Sequence, residues 1–222
     1  MKPKKAFLGL ILLILAGTIT IVYLYSPLVY CILVPWSDFK RVASGLYVAP
    51  DMSETQIQEL KTAIVNAKSR VAGLYWGCKV EPVIIAGDKP SDGGRRCGKY
   101  GVTRGGTGIS HILVVGSYIV LGPNGINPDV IAHELTHCEL ARRVGIFRLG
   151  KFPSWFIEGL AMQLDNRPNY EETEWVKLTH NGEISMPLEQ IDTPPEFYNQ
   201  AAFFHYIVAK HEVKEWLAAS KT

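Results

Sequence analysis

Residues 127–145 read NPDVIAHELTHCELARRVG, a stretch that carries its own start and stop signals. Asn127 and Pro128 supply an N-cap and a first helical position, while Gly145 ends the run after Arg142 and Arg143, whose charges suit a helix C-terminus. The spacing predicts a helix from 127 to 143. Within it stands HExxH, His133-Glu134-Leu135-Thr136-His137. Residues four apart lie one turn above each other on the same helix face, so both imidazoles can reach one ion. Zinc takes nitrogen and carboxylate ligands, and a catalytic zinc site keeps three protein ligands and one open position. Glu134, beside the first histidine, is then the general base for a water whose pKa the metal lowers to about 7.

A third ligand has to come from elsewhere. One known continuation, glycine three residues after the second histidine and a further histidine three beyond, is closed here because Leu140 and Arg143 occupy those places. Downstream, Pro153-Ser154-Trp155-Phe156-Ile157-Glu158-Gly159-Leu160-Ala161 sets an acid inside an apolar run. A carboxylate buried there without a partner is costly, whereas a dication compensates it directly. Gly159 and Ala161 leave room for close approach of two helices.

HExxH followed by Trp-Phe-x-Glu-Gly-Leu-Ala resembles the gluzincin metallopeptidases, in particular the small peptidase MA-like domains related to the thermolysin and aminopeptidase folds, over residues 105–210. The resemblance implies one Zn²⁺ per chain, held by His133, His137 and Glu158, with Glu134 as base. It further implies a zincin-like α+β fold, in which a small mixed sheet sets an edge strand against the active-site helix and a helical C-terminal part follows. The strand pair over 109–121 corresponds in position to the edge that gluzincins use to hold a peptide by its main chain. A tyrosine or histidine from a later helix commonly stabilises the oxyanion; Tyr198, His205 and Tyr206 are available, and Tyr198 best matches the start of that helix. Ligating histidines usually donate their second nitrogen to a carboxylate or carbonyl. Asp129, four residues before His133, and Asp165, seven beyond Glu158, are the candidates. Thermolysin-type relatives place this aspartate four residues after the ligand glutamate, where this chain has Met162.

Elsewhere the pattern is local and readable. Ser53 and Gln56 make a capping box for a helix over 53–74, in which Ile57, Leu60, Ile64, Val71 and Leu74 recur at helical spacing. Residues 80–86 read as a strand, and 109–115 with 118–121 as a hairpin about Gly116-Ser117. A helix from Pro153 to about Asp165, an irregular stretch over 166–193 and a helical region over 193–218 complete an α+β order.

Composition divides the chain in two. Its 222 residues are 47% hydrophobic and 20% charged with net charge +2, which excludes a disordered tail, a collagen-like repeat and a disulfide miniprotein. Residues 1–36 hold 25 of the hydrophobic residues, three lysines and no acid; the rest carries 20 basic and 21 acidic residues, so no basic surface for nucleic acid is expected. Residues 6–25 are uncharged, and as a helix they cover about 30 Å, the thickness of a bilayer's hydrocarbon. This predicts one N-terminal transmembrane helix in an anchor and juxtamembrane segment over 1–36, then a metallopeptidase domain over 37–222. Lys2, Lys4 and Lys5, against Lys40 and Arg41 beyond the span, favour a cytoplasmic N-terminus and an extracytoplasmic domain. There a Cys78–Cys97 disulfide would be permitted and would staple the loop over 92–104. Asp129, Glu139, Arg142 and Arg143 argue against an HExxH helix within the bilayer.

The expected function is therefore a membrane-anchored zinc metallopeptidase that cleaves peptide or protein substrates. Endopeptidase action is favoured because the Gly-x-Met-x-Asn signature for holding a free amine is absent. The alternative is a catalytically silent zincin-like domain that binds a protein partner. Because 186 residues leave no room for a large cleft-closing domain, a protein partner that completes the cleft is also expected.

Overall fold

Strands Leu46–Val48 (β2), Val83–Ala86 (β3) and the end of Gly116–Leu121 (β5) are continuously apolar because both faces of their sheet are covered. Side chains alternate between faces along a strand. Leu46, Val48, Ile84, Ala86, Ile119 and Leu121 pack on one side; Tyr47, Ile85 and Val120 pack on the other. The computed structural model describes residues 25–87, 95–102, 106–114, 116–184 and 186–220, together with Phe7, Gly17 and Thr20. All but a few residues of the anchor expected over 6–25 lie outside them. Among the described residues no helix is long and apolar enough to cross a membrane.

The sheet is mixed, five-stranded and ordered β1-β2-β3-β5-β4, with Lys40–Ala43 as β1 and Gly108–Leu113 as β4. β2, β3 and β5 run parallel; β1 and β4 pair antiparallel to their neighbours at the two edges. The β1–β2 hairpin is not apparent in the sequence, because strands of four and three residues are too short to show a period. The strand expected over 80–86 shortens to β3 for a tertiary reason: the Lys79 and Val80 N–H groups donate to the buried carboxylate of Glu139 instead of to a strand.

One face carries helices Glu54–Tyr75 (α2) and Pro128–Val144 (α3). Ser53 and Gln56 form the expected capping box on α2, whose Ile57, Leu60, Ala63, Ala67 and Val71 point into the core. Asn127 Oδ1 accepts from Asp129 N at the start of α3, and Gly145, at φ 82°, ends that helix in a conformation that suits glycine. The opposite face is covered by helix Ser26–Leu33 (α1) and the 3₁₀ turn Val34–Trp36. Residues 26–36, read as juxtamembrane, thus contribute Cys31 and Val34 to a core cluster with Phe39, Tyr47, Ile85, Tyr100 and Val120.

The Cys78–Cys97 disulfide that an oxidising compartment would permit is not formed, and the layering explains why. Cys97 is buried in the α1-side cluster, where its thiol donates to Leu121 O, while Cys78 packs against the α2–α3 core across the sheet. The two thiols lie on opposite faces.

The C-terminal third is helical: Ser154–Met162 (α4), Glu172–Thr179 (α5) and Ala202–Ala219 (α6). Gly159 lets α4 meet α6, since a Cβ there would stand 2.3 Å from Ala209 O and 2.6 Å from Val213 Cγ2. The helical region expected over 193–218 is broken into a short helix Pro194–Phe197, capped by Thr193 and Glu196, and α6. Asn199 makes the break, donating from Nδ2 to Glu196 O and accepting from Ala201 N.

Candidate metal centre

His133 and His137 project from one face of α3, with Nε2 atoms 3.1 Å apart and rings inclined at 79°. Glu158, on α4, brings Oε2 to 3.2 Å from His133 Nε2 and 3.5 Å from His137 Nε2. Zinc bonds of 2.0–2.1 Å in a tetrahedron require ligand atoms about 3.3 Å apart, which these separations bracket. All three residues are buried, and Glu158 Oε2 accepts no hydrogen bond although it is out of solvent. An orphaned carboxylate oxygen facing two imidazole nitrogens is a donor set that could hold a metal ion. Among the described residues, these three form the group that can hold such an ion.

Electrostatics favour a cation there. Burial opposes charge on both partners, yet the charge of the Glu158 carboxylate raises the His137 imidazole, and the two imidazoles hold the Glu158 carboxyl well below the usual range. Tyr198, at the break before α6, donates its hydroxyl to Glu158 Oε1. That bond occupies one oxygen and turns the other toward the histidines. Burial, then the charge of Glu158, raises the Tyr198 phenol, which stays a donor; burial, Glu158 and Glu134 do the same for Tyr206, whose ring lies 6.1 Å from that of His133. His205, the remaining candidate in this region, is buried against Phe197 O at 2.7 Å and so helps fix the turn that carries Tyr198.

Glu134 stays outside the ligand group. It lines a cavity of about 690 Å³ together with the three candidate ligands, Tyr198, Tyr206 and strand β4. A Cβ at Gly108 would crowd Val130 Cγ1 at 3.1 Å and touch Glu134 Oε1 at 3.4 Å, so the edge strand packs closely on the α3 face that carries this carboxylate. In the sequence Gly108 reads as the end of a Gly-rich turn over 105–108; glycine at the start of a strand carries no signal until its neighbour is known.

The two aspartates diverge. Asp165 is fully buried, and Oδ2 lies 4.0 Å from His133 Nδ1, beyond hydrogen-bond reach, while both its oxygens accept from Arg167. His133 Nδ1 is buried without a partner. Burial pushes the Asp165 carboxyl up, but the hydrogen bonds and charge of Arg167 outweigh it and hold it below the ordinary range. Asp129 Oδ1 is taken by Arg70 and Asn166 N, which ties α3 to α2 and to the segment after α4. Glu139 has a structural place too, accepting from Arg143 as well as from the Lys79 and Val80 amides.

No family model, curated protein or solved structure matches this chain.

Proposed function

We propose that the protein is a membrane-anchored, extracytoplasmic zinc metallopeptidase of zincin-like fold, acting as an endopeptidase. The observation that carries this reading is the convergence of His133 Nε2, His137 Nε2 and Glu158 Oε2 at 3.1–3.5 Å, on a cavity that Glu134 also lines. Zinc bound by these three supplies a Lewis acid that lowers the pKa of water to about 7 and polarises a carbonyl. Glu134 accepts the proton of the attacking water on its carboxylate and returns it to the leaving amine nitrogen. Tyr206 is a protonated phenol on the same cavity, able to donate to a developing oxyanion, whereas the single hydroxyl proton of Tyr198 is given to Glu158 Oε1.

The edge strand supports a polypeptide substrate. Gly122 N donates to Thr107 O, and the β4–β5 register then alternates so that the N–H and C=O groups of Gly108, Ser110 and Ile112 turn away from β5. An extended peptide can add to this edge and lie across the candidate ligands.

Metal analysis and peptide hydrolysis by the full chain in detergent test the proposal. One zinc per chain and cleavage are expected, with Glu134→Gln keeping the zinc and losing about 10²–10⁴-fold in turnover. Wild-type protein that retains no zinc, or a Glu134→Gln variant as active as wild type, would overturn it.

A further inference from the structure

Large apolar side chains are exposed at scattered places, but Tyr25, Tyr30, Ile32, Leu33 and Trp36 fall within twelve consecutive residues, and Trp36 is 79% exposed. Tyr25 caps the start of α1 and the others belong to α1 and the 3₁₀ turn after it, in a segment without a charged side chain from Tyr25 through Ser37. Cys31 and Val34, on the inner side of the same segment, are 0% and 1% exposed and pin it to the sheet. The exposed side chains are therefore part of the domain's surface, not of a swinging tail.

Around them stand basic groups. Lys99 lies 5.9 Å from the Tyr30 ring and 5.2 Å from that of Tyr100, with Asp38 at 3.9 Å, and Arg41, exposed on β1, pairs with Tyr47 on the α1 side of the sheet. Tyrosine and tryptophan beside aliphatic residues, bordered by lysine and arginine, match the chemistry of the boundary between lipid headgroups and acyl chains. The occupant is decided by what precedes this segment: residues 6–25 are uncharged and long enough to span the hydrocarbon, so the chain meets α1 at the interface.

We propose that α1 and the turn Val34–Trp36 form a lipid seat, inserted at the phospholipid interface and holding the α1 face of the sheet against the bilayer. The seat rests on the anchor reading and extends it: the domain does not hang on a linker but stands on the membrane through part of its own core. α2 and α3, on the other face of the sheet, point away from the lipid, and the candidate metal centre is held in a fixed attitude to the bilayer.

The test uses the full chain reconstituted in phosphatidylcholine vesicles containing lipid brominated near the headgroup, which quenches tryptophan on contact. The chain has five tryptophans. Quenching is expected in wild type, unchanged in Trp76→Phe, which removes an exposed ring after α2, and mostly lost in Trp36→Phe. To separate a seated domain from a tail that merely touches lipid, a tryptophan is then added to Trp36→Phe at a position distant in sequence. Lys99→Trp should restore quenching, whereas Thr62→Trp, on the exposed side of α2, should not. Release of the chain by alkaline carbonate would overturn the anchor reading and the seat together. Retention with Trp36→Phe still quenched like wild type, or with Lys99→Trp unquenched, would overturn the seat alone.

Discussion

Tyr198 shows how one residue changes meaning once its neighbour is known. From sequence it is a candidate oxyanion donor; in the structure its hydroxyl is committed to Glu158 Oε1. A group that orients a ligand is usually worth about 10–100-fold in metal affinity, so Tyr198→Phe should weaken zinc binding by that factor in a chelator competition. Asp165 allows a pH test. Its folded pKa is lowered, so its contribution to stability is present above the unfolded value of about 3.9 and is lost as pH falls through the lower folded one. Asp165→Asn should cost about 2 kcal/mol near pH 7, since Arg167 keeps some solvent, and the gap to wild type should close on acidification below about pH 4 in urea melts. A pH-independent gap would assign the loss to packing.

At the scale of elements, the candidate site depends on how α3, α4 and α6 meet. Glu158 belongs to α4, and the next residue, Gly159, is pressed against the backbone of Ala209 in α6. Gly159→Ala should therefore destabilise the protein by about 2–3 kcal/mol through overpacking and displace Glu158 at the same time, lowering both the denaturation midpoint and the zinc content. The elements themselves are largely legible in the sequence. The Ser53–Gln56 capping box, Pro128 and Gly145 act within a few residues: α2 starts at its box, and α3 starts and stops where its signals stand. What the pattern does not reveal is decided by partners far along the chain. The start of β3 depends on Glu139, 59 residues from Val80, and the two-sided burial of β2 depends on α1.

For the whole molecule, the arrangement of layers governs what can be removed. A chain that begins at residue 37 loses α1 and uncovers Tyr47, Ile85, Tyr100 and Val120. Loss of Cys31 and Val34 from the core should cost roughly 3–5 kcal/mol, so that chain should melt lower than one beginning at residue 25 and should bind a hydrophobic dye. Equal melting temperatures would show that α1 adds no stability. The same layering separates Cys78 from Cys97: the sequence permits their pairing, and the sheet between them prevents it.

The sequence by itself determined the HExxH helix, its caps, the α+β order and the pair of histidines, because each rests on interactions between residues at most four positions apart. It also marked Glu158 as an acid that needs a partner. Only the tertiary structure decided that this partner is the histidine pair, that Tyr198 takes the other carboxylate oxygen, that Asp129 belongs to Arg70, and that residues 26–36 are core on one side and exposed on the other. Those outcomes depend on which helix packs on which face of the sheet, a choice set by side-chain volume and close approach between segments that are distant in the chain.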